Sequence, residues 1–100
     1  MLKGKQKRQL RALAHHLSPI FQVGKSGVNS DMIQGIRDAL EKRELLKVSI
    51  LQNCEEEKTV IYSKLMDNKE FEVVGMIGRT IIIFKENNEH PTISLEWKNI

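Results

Sequence analysis

The stretch from Ile20 to Asn29 constrains this chain most. A short, mostly apolar run, Ile20-Phe21-Gln22-Val23, leads into Gly24-Lys25-Ser26-Gly27, and helical periodicity begins near Asn29. Two glycines three residues apart let the backbone bend at φ > 0 and be approached without a Cβ in the way. The helix that follows offers unpaired N–H groups and the positive end of its dipole. Lys25 places a mobile cation between the glycines. A strand, a two-glycine turn and a helix start, in that order, form a phosphate-binding arrangement. The four residues alone more often mark an ordinary strand-to-helix turn, so the rest of the chain must carry the weight.

That rest is basic where it matters. The first 30 residues hold six of the sixteen Lys and Arg (Lys3, Lys5, Lys7, Arg8, Arg11 and Lys25) and none of the thirteen acids. Residues 31–100 are net acidic although the whole chain is +3. Cations gathered at one end beside the glycine turn favour a polyanionic partner. The G-x-x-G pattern is also the one with which KH modules clamp a nucleic-acid backbone. The bland alternative is a solvated basic helix. A length of 100 residues predicts one domain, spanning 1–100, with one modest core. No run approaches the roughly 18 apolar residues that span a bilayer, and the basic N-terminus lacks the apolar core of a signal peptide. Cys54, the single cysteine, has no internal disulfide partner, so a cytoplasmic location is expected.

In chain order, the first helix is predicted from Gly4 or Lys5 to His16, with Leu10, Leu13, Ala14 and Leu17 as its core stripe. Lys7, Arg8 and Arg11 share one flank of that stripe, and Lys5 lies toward the other side. His15 and His16 point about 100° apart on a helix, and Cys54 and His90 are distant, so no zinc spacing exists. A helix-dipole contact for one histidine and packing for the other are expected. Ser18-Pro19 ends the helix, and Ile20 to Val23 is a first strand. Asn29 caps a second helix running to about Arg43, with Asp31 in its first turn and Met32, Ile33, Ile36, Ala39 and Leu40 buried. Gly35 in its interior costs about 1 kcal/mol in propensity. Arg37 lies beside the apolar stripe.

Leu46 to Leu51 alternates as a strand, with Leu46, Val48 and Ile50 on one side. Asn53 is expected to cap a third helix whose first turn holds Glu55, Glu56 and Glu57 and whose core face is Val60, Ile61, Leu65 and Met66. An acidic first turn explains the three glutamates without any catalytic role. Phe71–Ile77 and Thr80–Lys85 are strands joined by the Gly78-Arg79 turn. Ile81-Ile82-Ile83-Phe84 is apolar without alternation, as in a strand covered on both faces. Glu86 to Pro91 is expected to be loop, Thr92 to Leu95 a short edge strand, and Trp97 a packing cap. The order α-β-α-β-α-β-β requires crossovers, so a mixed four-stranded sheet packed by helices is expected: an α/β fold.

These residues together resemble a known family. Gly4-Lys5-Gln6-Lys7-Arg8, Leu13-Ala14-His15-His16-Leu17, Pro19 and Val23-Gly24-Lys25-Ser26-Gly27 are similar to a bacterial stand-alone CRM domain of the YhbY-like family. The likeness continues through Ala39-Leu40-Glu41, Glu44-Leu45-Leu46-Lys47-Val48 and Ile77-Gly78-Arg79-Thr80, covering residues 4 to 85. It implies a fold like the C-terminal domain of translation initiation factor three, RNA binding, and association with precursors of the large ribosomal subunit. It implies no catalytic activity. Two positions depart from the pattern. Lys3 stands where the family often has a capping Ser or Thr, and Ser26 where glycine is frequent.

The expectation is therefore an RNA-binding ribosome-assembly factor, monomeric, with no cofactor, no metal and no small-molecule substrate. Gly24 and Gly27 shape the turn, and N–H groups from Lys25 to Val28 meet phosphate oxygens. Lys25 and Ser26 assist, and Lys5, Lys7, Arg8, Arg11 and Arg37 widen the electrostatic footprint. Five aromatic residues leave base stacking a minor term, so backbone path and shape should dominate. A rival from another class is a protein-interaction module that docks a ribosomal or other protein through the acidic second half without touching RNA. An enzyme is the weakest reading, because no activated nucleophile, metal cluster or unexplained carboxylate pair is present in the sequence.

Overall fold

The computed structural model describes residues 4–87. Lys3, His90, the expected strand at Thr92–Leu95 and Trp97 lie outside the described residues. The elements are α1 (Gly4–Ala14), β1 (Phe21–Val23), α2 (Ser30–Arg43), β2 (Leu45–Ile50), α3 (Lys58–Met66), β3 (Glu72–Ile77) and β4 (Thr80–Phe84). They follow the order read from the sequence. The four strands form one mixed sheet in the order β1-β2-β4-β3. β1 runs parallel to β2, with Val23 opposite Ile50, and both other pairings are antiparallel.

Strand alternation divides the core between the two sheet faces. Val23, Leu46, Val48, Ile50, Ile81 and Ile83 meet Ile36 and Leu40 of α2 and Ile61 and Leu65 of α3 on one side. Leu45, Val74, Ile82 and Phe84 meet Leu10 and Ala14 of α1 on the other. The unbroken run Ile81–Phe84 is buried throughout because it serves both cores.

α2 is built as its sequence prescribes. Asn29 accepts the Met32 N–H at 2.9 Å through Oδ1, and Asp31 sits in the first turn. Ile36 and Leu40 are fully buried, with Met32, Ile33 and Ala39 half-buried at the flanks. Gly35 has a packing reason: a Cβ there would lie 3.0 Å from Cε1 of Phe21. The helix ends at Glu44, which adopts φ 57 and is fully buried despite its charge. Its N–H donates to Leu40 O, its carbonyl accepts from Lys85 N–H, and its carboxylate accepts from Asn87 N–H at 2.6 Å.

Several expectations need correction. α1 stops at Ala14, not His16, since the last turn tightens: His16 N–H donates to Leu13 O and Leu17 N–H to Ala14 O. Leu17 is therefore swung out of the stripe and is 40% exposed. His15 and His16 are both exposed and meet each other edge to face, so neither histidine is a core residue. β1 begins at Phe21, β2 starts one residue earlier than read, and β3 begins at Glu72.

α3 is the largest change. It starts at Lys58, its N-cap is Glu57 with no side-chain cap bond, and Asn53 caps nothing. Cys54 N–H instead donates to Leu51 O, closing a turn directly after β2, so Glu55, Glu56 and Glu57 precede the helix rather than fill its first turn. Val60 and Met66 are exposed, and Ile61 and Leu65 alone are its buried residues. β3 and β4 are joined by Gly78-Arg79 with φ 61 at Gly78 only, as a Gly-X hairpin requires. A bulge between Val73 and Gly75 breaks the β3 register.

Candidate nucleic-acid interface

The glycine turn stands at the end of the sheet where β1 and β2 both finish. Leu51 N–H donates to Val23 O at 2.9 Å, which fixes the exit of β1 against the exit of β2. Arg79 secures the same corner from the hairpin. Its guanidinium donates to Ile50 O at 3.0 Å and Leu51 O at 2.9 Å, while Ile50 N–H donates to Arg79 O. The base of the loop is thus held by three segments before any ligand is considered.

Within the loop the two glycines do different work. Gly27 has φ 70, in the left-handed region that favours glycine, and its N–H donates to Gly24 O at 3.0 Å. Gly24 does not have positive φ, which corrects the expectation that both glycines need that freedom. A Cβ on Gly24 would find only ordinary contacts, Asn53 Oδ1 and Leu51 Cδ1 at 3.9 Å. A Cβ on Gly27 would lie 2.5 Å from Glu56 Oε1. Glu56 is held there by Lys64, whose ammonium donates to both carboxylate oxygens at 2.9 and 2.7 Å.

The turn bond consumes the Gly27 N–H, so fewer donors are left for a ligand than the sequence suggested. Among the described residues the N–H groups of Lys25, Ser26 and Val28 have no intrachain acceptor. Lys25 and Ser26 are exposed, and the first turn of α2 follows directly. Backbone donors without acceptors, a lysine and a helix N-terminus in succession are chemically suited to an anion.

The other predicted residues are distributed around the sheet. Lys5, Arg8 and Arg11 are exposed on α1, and Lys7 is half-buried. α1 packs on the face opposite α2, so these cations and the start of α2 lie on different sides of the sheet, with the loop at the sheet end between the two faces. The reason is that Leu45, Val74, Ile82 and Phe84 offer α1 a separate core. Arg37 is drawn away from the loop: its guanidinium pairs with Glu70 and with the Gln34 side-chain carbonyl. Sequence reading missed Arg79, Glu56 and Lys47, whose Nζ donates to Leu17 O at 3.0 Å. Arg79 was legible only as a turn residue, and nothing local in the sequence brings Glu56 to Gly27. Among the described residues no three His, Cys, Asp or Glu are placed to hold a metal ion. No helix among them is long and apolar enough to cross a membrane.

Known proteins resemble this chain. The family model for the CRS1/YhbY (CRM) domain matches residues 2–85. A Bacillus subtilis protein named "Probable RNA-binding protein YqeI" is 56% identical over 95 residues, covering 95% of this chain and 99% of that protein. A Haemophilus influenzae protein named "RNA-binding protein" is 31% identical over 88 residues, covering 88% of this chain and 89% of that one. A solution structure of a hypothetical protein from Staphylococcus aureus superposes with a TM-score of 0.70 at 49% identity, covering 90% of this chain and 97% of that chain. With its mixed sheet, its glycine turn and a family match along most of its length, this chain belongs to the CRS1/YhbY (CRM) domain family.

Proposed function

We propose that this protein binds RNA through the Gly24–Gly27 turn and acts in assembly of the large ribosomal subunit. The observation that carries the reading is the turn itself. Three N–H groups without an intrachain acceptor, Lys25 and a helix start follow one another there, in a chain whose relatives bear RNA-binding names. Phosphate oxygens fit those donors without regard to base identity. Ser26 adds a hydroxyl donor, and Lys5, Lys7, Arg8 and Arg11 extend the positive field from α1. Arg37 joins the footprint only when its pair with Glu70 opens. Precursor ribosomal RNA of the large subunit is the partner implied by the family resemblance, and the protein works as a cytoplasmic monomer without a cofactor.

The test changes Lys25 and Ser26 together to Asp. Both side chains are exposed, so the melting temperature should barely move, as for surface changes of about 0.5 kcal/mol each. Two carboxylates at the anion receptor should repel phosphate and lower RNA affinity at least tenfold, which is about 1.4 kcal/mol. An unchanged melt with full RNA affinity would falsify the loop as the contact. Crosslinking in cells followed by RNA sequencing checks the partner: enrichment of large-subunit precursor sequences is expected, and recovery of unrelated RNAs removes the assembly role.

A further inference from the structure

The sheet face that carries α1 also carries a polar patch with a further cation, Lys47. Alternation turns Gln22, Lys47, Ser49 and Thr80 to this face, because Val23, Val48, Ile50 and Ile81 enter the opposite core. None of the four is buried. In register, Gln22 lies beside Ser49 and Ser49 beside Thr80, while Lys47 lies beside Ile82. Arg11 of α1 and His15, just after that helix, reach the same place. With Pro19, Lys47, Ile77 and Thr80 they surround a cleft of about 190 Å³ over Ile82.

The lining has a definite chemistry. It holds two permanent cations, an imidazole and a hydroxyl, and no carboxylate. The Lys47 bond to the Leu17 carbonyl steadies the ammonium without neutralising it. Arg11 passes over Gly75, in ordinary contact distance of where a Cβ would stand, 3.5 Å from the arginine Cδ. Ile77, 62% exposed, is an apolar surface at the rim of a cationic cleft. Cations and a hydroxyl suit a phosphate and a sugar edge, and the apolar walls suit the flat face of a base.

Position selects the occupant. Lys47 is three residues before Ile50, and Ile50 pairs with Val23, the last residue before Gly24. At about 3.3 Å per residue the cleft therefore lies roughly 10 Å from the base of the turn. The polar row Gln22–Ser49–Thr80 crosses the sheet within that interval. We infer that the cleft receives a nucleotide of the same RNA strand that the turn holds by its backbone. Its phosphate meets Arg11 and Lys47, and its base lies on Ile77 and Pro19 without selection for identity. This rests on the reading that the turn binds RNA.

Titration of the full chain with hexauridylate, followed by ¹H–¹⁵N spectra, separates the two. The amides of Ser49, Thr80 and Ile82 should shift together with those of Lys25, Ser26 and Val28. Lys47→Gln combined with His15→Ala should weaken hexauridylate binding five- to tenfold while the loop amides still shift at saturation. Wild-type spectra in which only the loop amides move would overturn the cleft and leave the turn intact. Spectra in which neither set moves would remove the RNA reading and the cleft with it. The wild-type shifts decide the matter even where the double variant folds poorly.

Discussion

Gly27 and Gly24 look equivalent in the sequence but are not interchangeable in the fold. Gly27 combines φ 70 with the Glu56 carboxylate at its Cα, whereas Gly24 has an ordinary backbone and room for a methyl group. Gly27→Ala should cost about 1–2 kcal/mol from left-handed strain, before any displacement of Glu56 from Lys64. Gly24→Ala should be tolerated to within about 0.5 kcal/mol. Denaturant unfolding of the two variants checks the contrast, and equal losses would contradict the assigned roles. RNA affinity should follow the same order, because only the Gly27 change bends the donors out of line. Cys54 offers a control at this scale: it is half-buried beside the main core, and Cys54→Ser should leave RNA affinity unchanged.

Among the elements, those with strong local signals were legible. The Asn29 cap, the alternating β2 and the Gly78-Arg79 turn each have a short-range cause written in adjacent residues, and each stands within a residue or so of its reading. α3 was misplaced because three glutamates after an asparagine imitate a capped helix start, while the tertiary turn closed by Cys54 N–H competes for the same backbone. The loop was legible as a motif, but its support was not. Arg79 lies 28 residues from the carbonyl it holds at Leu51, and no local pattern reveals such a bond. Arg79→Ala should therefore lower stability by about 1 kcal/mol, seen as a fall of about 4–8 °C in Tm for a domain of this size. Arg79→Lys should recover only part, since one ammonium replaces a fork that spans two carbonyls. A melt unchanged by Arg79→Ala would mean that the hairpin does not brace the corner.

At the scale of the whole molecule, charge governs how the protein meets its partner. With four to six cations against phosphates, log affinity should fall with log salt at a slope between about −3 and −4, using the single-strand coefficient. A binding isotherm repeated from low to high salt measures it, and a flat line would favour docking to a protein surface instead.

The bulge in β3 has a consequence for the company this protein keeps. An open sheet has two free margins, and a long, flat margin invites strands from other chains to zip onto it. Among the described residues one margin is β1, only three residues long, and the other is β3, whose ladder with β4 is broken between Val73 and Gly75. Neither gives an incoming strand a continuous row of partners. Bound along RNA as proposed, copies of this basic chain would be crowded against one another. Such margins should leave those copies side by side rather than stitched into fibres.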